Sequence, residues 1–210
     1  MDDILIYSNT LQQHRLDVRN IIKAIQTSGM KVKSPKCEFH KEETEYLGFI
    51  INREGIKTDP IKAQAIWDWK TPKNKTAIQS FLGFCNFYRR LIEGFSKIAK
   101  LLYQLTEKYQ KWDFRTKQQE AFDRLIHKLT RAPILAHYDL KKPITIETDA
   151  FKYITAGIIS QTGDDGILRP IAYHSKSMSK NECNYDIQDK ELAIILALED
   201  WGRYIKGSRQ

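Results

Sequence analysis

From Asp59 to Ala132 the apolar residues recur at helical spacing, whereas the segments on either side carry short runs rich in strand formers. That change of period predicts an α+β chain with a helical middle of about 70 residues. Asp59–Pro60 opens the block as N-cap and first helical residue, and Ala132–Pro133 closes it. Thr76 with Gln79 three residues on starts a second helix, and Phe114 to Arg131 reads as a third.

The flanks follow other rules. Ile4–Tyr7 is expected to be a buried strand, and Thr10 with Gln13 a capping box for a helix that runs through Ile25 and stops at Gly29. Short strands are expected at Met30–Lys33 and Tyr46–Ile51, the second closed by the turn Asn52–Gly55 against the segment from Ile56. Past the block come strand candidates Ile144–Thr148, Ala156–Gln161 and Leu168–Tyr173, with Gly163–Gly166 turning between the last two. A helix from about Asn184 to Ile205 closes the chain.

Composition narrows the function classes. With 41% hydrophobic residues the chain has material for cores, which argues against disorder. No stretch approaches the ~18 uninterrupted apolar residues of a membrane span, and Met1–Asp2–Asp3 lacks the start of a secretory signal, so a soluble intracellular protein without a membrane partner is expected. Cys37, Cys85 and Cys183 are too scattered for a disulfide framework, and Cys37 with His40 lacks the second pair a zinc site needs. Residues 1–60 hold 9 basic and 9 acidic side chains, residues 61–132 hold 15 and 6, and residues 133–210 hold 10 and 11. The net charge of +8 therefore comes from the middle third, and a basic block so confined suggests a polyanion partner, although charged blocks on helices are more often solvated faces.

Three constellations could carry chemistry. Asp2 and Asp3 precede an apolar run, and carboxylates are the oxygen ligands magnesium prefers; adjacent strand residues face opposite ways, so a partner acid must come from elsewhere. On a helix from Thr76 to Phe95, Phe81, Phe84, Tyr88, Leu91 and Phe95 form a core seam. The opposite stripe holds Gln79, Gly83, Asn86 and Arg90, side chains suited to minor-groove and phosphate contacts, with Gly83 flattening the row. Finally, Asp149 ends a strand, and Glu191 falls within the apolar stripe Ile187, Ile194, Leu198 and Ile205, where a carboxylate needs a cation, a metal or the helix dipole to offset its burial.

In combination these motifs resemble the polymerase region of a gypsy-type long-terminal-repeat retrotransposon polyprotein. Met1–Asp2–Asp3–Ile4–Leu5 is similar to the end of the Tyr-x-Asp-Asp box, and Lys36–Phe39 and Tyr46–Ile50 to the hairpin that grips the primer. Phe81–Arg90 is similar to the thumb helix, Trp112 through Leu135 to the connecting segment, and Thr148–Asp149–Ala150 with Asp189–Leu192 to the first two acidic motifs of ribonuclease H. The resemblance implies a reverse transcriptase palm remnant at 1–58, a helical thumb and connection at 59–132, and the N-terminal half of a ribonuclease H-like mixed α/β domain at 133–210.

It also implies two-metal magnesium chemistry, with Asp2, Asp149 and Glu191 as metal ligands, Asp3 as a supporting catalytic acid, and Leu47, Gly48 and Phe49 joining the thumb stripe against an RNA/DNA hybrid or DNA duplex primer-template. The Tyr of the box and the upstream polymerase aspartate are absent, and the third ribonuclease H aspartate is not reached. The expectation is therefore a nucleic-acid-binding segment without independent polymerase or hydrolase activity, working with the rest of a polyprotein or surviving as a binding module or inert relic.

Overall fold

A computed structural model describes residues 3–151, 154–178 and 189–206. Helix α1 (Leu11–Thr27) leads to a three-stranded antiparallel sheet, β1 (Thr44–Tyr46), β2 (Phe49–Asn52) and β3 (Gly55–Thr58). The helical block follows as α2 (Pro60–Trp67), α3 (Lys75–Phe87), α4 (Phe95–Gln104) and α5 (Thr116–Thr130). A second antiparallel sheet, β4 (Ile144–Phe151), β5 (Ile154–Thr162) and β6 (Leu168–Ser177), then leads to α6 (Asp189–Asp200) and α7 (Gly202–Ile205). The chain is mixed α and β, as the change of period predicts.

The helices start where local chemistry provides caps. Thr10 accepts from the Gln13 amide and Asp59 from the Ile61 amide, and both helices begin where expected. The next helix is capped by Asn74 rather than Thr76, the Asn74 side chain accepting from the Ala77 amide. It does not run to Phe95: α3 ends at Phe87, a single 3-10 turn follows at Arg89–Leu91, and Gly94 in the left-handed region opens α4. The expected seam survives this break, because Phe81, Tyr88, Leu91 and Phe95 are all buried and Phe84 packs against them. Ile78, Leu102, Phe122, Leu125 and Leu129 complete the core. Cys85 lies within it, and desolvation pushes its thiol far up, so it packs as a small apolar group.

Neither Ile4–Tyr7 nor Met30–Lys33 forms a strand. No described strand lies beside either segment to take its backbone hydrogen bonds, and Tyr7 remains 84% exposed. Tyr46–Ile51 is two strands, not one. Leu47 (φ 49°) and Gly48 (φ 78°) both adopt left-handed backbone, which is the two-residue hairpin turn whose twist matches its flanking strands.

Two backbone seams join the parts. The Ile56 and Leu135 backbones exchange both hydrogen bonds, at 2.8 and 2.9 Å, and the Ala136 amide donates to the Pro170 carbonyl, so the stretch after α5 bridges β3 to β6. Gly55 makes this approach possible: at φ 146° a Cβ there would stand 2.0 Å from the Leu135 oxygen. On β6, Ser175 accepts from the Ser96 amide through its hydroxyl, and its carbonyl accepts from the Ser96 hydroxyl and from Arg89.

Helix α6 packs on β4 and β5, through a face other than the one the sequence favours. Leu192, Ala193, Leu196 and Ala197 are buried, whereas Ile194 and Leu198 are 45% and 39% exposed; Ile187 lies outside the described residues. Two apolar stripes compete on this helix, and the one with two alanines lets the backbone approach the sheet. Trp201 continues that face onto Gly157, where a Cβ would come within 2.9 Å of the indole.

Candidate nucleic-acid interface

The hairpin tip at Leu47–Gly48 docks on the end of α3. Tyr88 donates its hydroxyl to the Gly48 carbonyl at 3.0 Å, and burial, with smaller contributions from Asp59 and Glu45, raises the Tyr88 phenol above its ordinary pKa, keeping it a donor. Phe49 stacks on Phe87 at 5.3 Å and meets Tyr88 edge-on at 5.4 Å. The turn is tight enough that a Cβ on Gly48 would crowd the Phe87 ring at 3.3 Å. Leu47, held in a conformation costly for a branched-chain residue, stays 58% exposed at the tip.

Gln79, Gly83 and Asn86 are exposed along α3, and Gly83 faces open space. The stripe therefore runs along α3 toward the end on which the hairpin docks. Phe87, 54% exposed, belongs with them and is missing from the sequence reading. The signal lay in the spacing: Gln79, Gly83 and Phe87 are four apart, and the aromatic sits where a core-seeking residue has no core to enter.

Arg90 is placed differently. Its guanidinium lies 3.8 Å from Asp200 at the end of α6, so its charge is directed toward the second sheet rather than along the α3 stripe. Asp200 also bonds His174 Nδ1 at 3.1 Å, and His174 Nε2 lies 3.3 Å from the Thr155 hydroxyl. The His174 hydrogen bond, foremost among its causes, holds the Asp200 carboxyl below its usual range.

Of the four candidate acids, three lie in described residues. Asp2 lies outside the described residues, and Asp3 is exposed in irregular backbone. Asp149 is exposed on β4 opposite Ala156, with the strand continuing to Phe151 beyond it. Its neighbour Thr148 lies beside Gly157 on the side covered by Trp201, so the pleat turns Asp149 the other way. Glu191 is exposed, on the solvent stripe of α6 with Ile194 and Leu198, so the burial cost argued from the sequence does not apply. Among the described residues no group of three or more His, Cys, Asp or Glu side chains is placed to hold a metal ion, and Cys37 with His40 gains no third ligand. Asp3, Asp149 and Glu191 alone do not make up the set of carboxylates that a two-metal site needs.

Residues 1–51 match the family model for reverse transcriptase (RNA-dependent DNA polymerase), and residues 114–210 match that for the RNase H-like domain found in reverse transcriptase. Among solved structures, the foamy viral protease-reverse transcriptase in complex with double-stranded DNA superposes with a TM-score of 0.78 at 22% identity, covering 94% of this chain and 35% of that one. The same enzyme with an RNA/DNA hybrid gives a TM-score of 0.77 at 23% identity, over 94% and 27%. The fold is that of a reverse transcriptase running into a ribonuclease H-like part.

The ribonuclease H-like match begins at Phe114, ahead of α5. The Tf2-3 and Tf2-7 transposon polyproteins of Schizosaccharomyces pombe are each 32% identical over 209 residues, 99% of this chain. The chain spans 16% of the length of these relatives. Among the described residues no helix is long and apolar enough to cross a membrane.

Proposed function

We propose that this chain is the thumb-centred segment of a gypsy-type retrotransposon polyprotein and binds primer-template nucleic acid, RNA/DNA hybrid or DNA duplex, without independent catalytic activity. On this reading residues 1–58 belong to the palm, 59–132 to the thumb and connection, and 133–210 to the ribonuclease H-like part. The observation that carries it is the docking of the Leu47–Gly48 turn on α3, beside the row of Gln79, Gly83 and Phe87, in the region where the basic excess lies. Positively charged helices attract the phosphates, and a row without a side chain at Gly83 lets a backbone come close. Tf2 likeness along nearly the whole chain supports the gypsy assignment.

Metal ligation by Asp2, Asp149 and Glu191, with Asp3 in support, remains part of the proposal for a longer chain that gathers the missing acids. For these 210 residues, primer-extension and hybrid-cleavage assays with magnesium are expected to show no turnover; robust metal-dependent activity in either would overturn that half of the reading. Binding to a hybrid duplex should weaken steeply with salt. Gly83→Leu adds bulk into open space, so it should weaken duplex binding by about tenfold, one lost close approach, with the melting temperature unchanged. Salt-insensitive or absent binding would instead mark an inert relic.

A further inference from the structure

A second feature of the helical block lies outside the α3 stripe. The end of β3, helix α2 and the C-terminal end of α5 enclose a groove of about 540 Å³, within the size range of small-ligand sites. Trp67 lines it and is 50% exposed, held edge-on to His127 with the rings 5.4 Å apart. Arg131 lines it too, exposed and without an ion-pair partner among the described residues. Lys57 adds a cation already bonded to Glu43 at 2.9 Å, and the Thr58 hydroxyl in the same wall is buried with no hydrogen-bond partner. The nearby Asp68 carboxylate accepts from Gln64, which occupies part of its charge.

A lone exposed tryptophan needs no explanation. This one sits in a concavity, beside a guanidinium with no ion-pair partner among the described residues. A flat aromatic surface beside a cation is the pairing that takes a base by its ring face and a phosphate by its charge. The space is too small for a double helix. The surrounding residues 61–132 carry 15 basic against 6 acidic side chains, which favours a polyanion over a single nucleotide.

We propose that this groove binds an unpaired nucleic-acid strand, one base stacking on Trp67 with its phosphate on Arg131. The proposal rests on the duplex-binding reading above and adds a site for the strand that leaves the duplex.

Fluorescence anisotropy of the full 210-residue chain tests it with two labelled RNA/DNA hybrids, one blunt and one with a single-stranded extension of about ten nucleotides, within the site sizes of single-strand binders. The extended hybrid should bind more tightly. Trp67→Ala should remove about tenfold of that affinity, the scale of one lost base–aromatic stack, and Trp67→Phe should restore most of it. Arg131→Ala should lower the salt slope for the extended hybrid by about 0.7, one phosphate contact on a single strand. Blunt-hybrid binding should stay unchanged in all three variants. Equal affinity for the two hybrids, or an extension effect that survives both alanine variants, overturns the groove while leaving the duplex reading intact. Binding to neither hybrid overturns both. Competition by a mononucleotide as effective as the strand also overturns it, in favour of a nucleotide pocket.

Discussion

Helices α1 and α4 are both amphipathic, yet they end in opposite environments. In α4, Phe95, Ile98, Ala99 and Leu102 are all buried against the rest of the helical block. In α1 no residue is buried, and Leu11, Leu16, Ile21 and Ile22 are between 36% and 56% exposed. An apolar stripe specifies which side of a helix seeks cover, not what covers it. Helix α4 has α5 and β6 packed against it, whereas α1 is held by its caps and by local bonds such as Ser8 to Asp17 at 2.6 Å. The helical middle thus has a core of its own, and none of the described residues before Thr44 belongs to it.

Substitutions can break this contrast. Phe122→Ala opens a cavity under Phe81 and Phe114 and should cost about 3–5 kcal/mol in denaturant unfolding. Retention of wild-type stability would show that the helical block is not the stabilising unit. Gly55→Ala drives a Cβ into the Leu135 carbonyl from a left-handed backbone, so a loss of about 2–3 kcal/mol is expected, with faster amide exchange at Ile56 and Leu135.

Asp200→Asn should cost about 1 kcal/mol by weakening the bond to His174. Because the Asp200 carboxyl lies below its ordinary value in the fold, its contribution is present above the unfolded range near pH 4 and fades as pH falls through the folded value. The variant should therefore lose less stability than the parent on acidification, read by thermal melts across that range. At the small end, Ile21→Ser on α1 should change stability by no more than about 0.5 kcal/mol. A loss comparable to Phe122→Ala would mean that α1 has a partner in solution.

Local chemistry explains what was legible in the sequence. Asp59–Pro60, Thr10, the helical period and the Gly163–Gly166 turn act within a few residues, and each element stands close to where its signal lies. The misses are long-range. Gly55 reads as an ordinary turn residue, and its need for space comes from Leu135, some 80 positions along the chain, a separation no local rule reaches. The buried face of α6 depended on Gly157 accepting Trp201, which periodicity could not choose between two apolar stripes. Phe87 falls outside both the seam and the polar stripe read from the sequence, and only its exposure beside the Leu47–Gly48 turn shows the row it belongs to.

The pair formed by Ile56 and Leu135 closes the helical block into a loop whose two ends meet. Tension applied along the chain from the first sheet would pass through those two hydrogen bonds into the Ala136–Pro170 contact and on to β6. The helices between them would share that load, because Tyr88 holds the tip of the first sheet and Ser96 and Arg89 hold Ser175 on β6, so the block is pinned to both sheets at points far from its own ends.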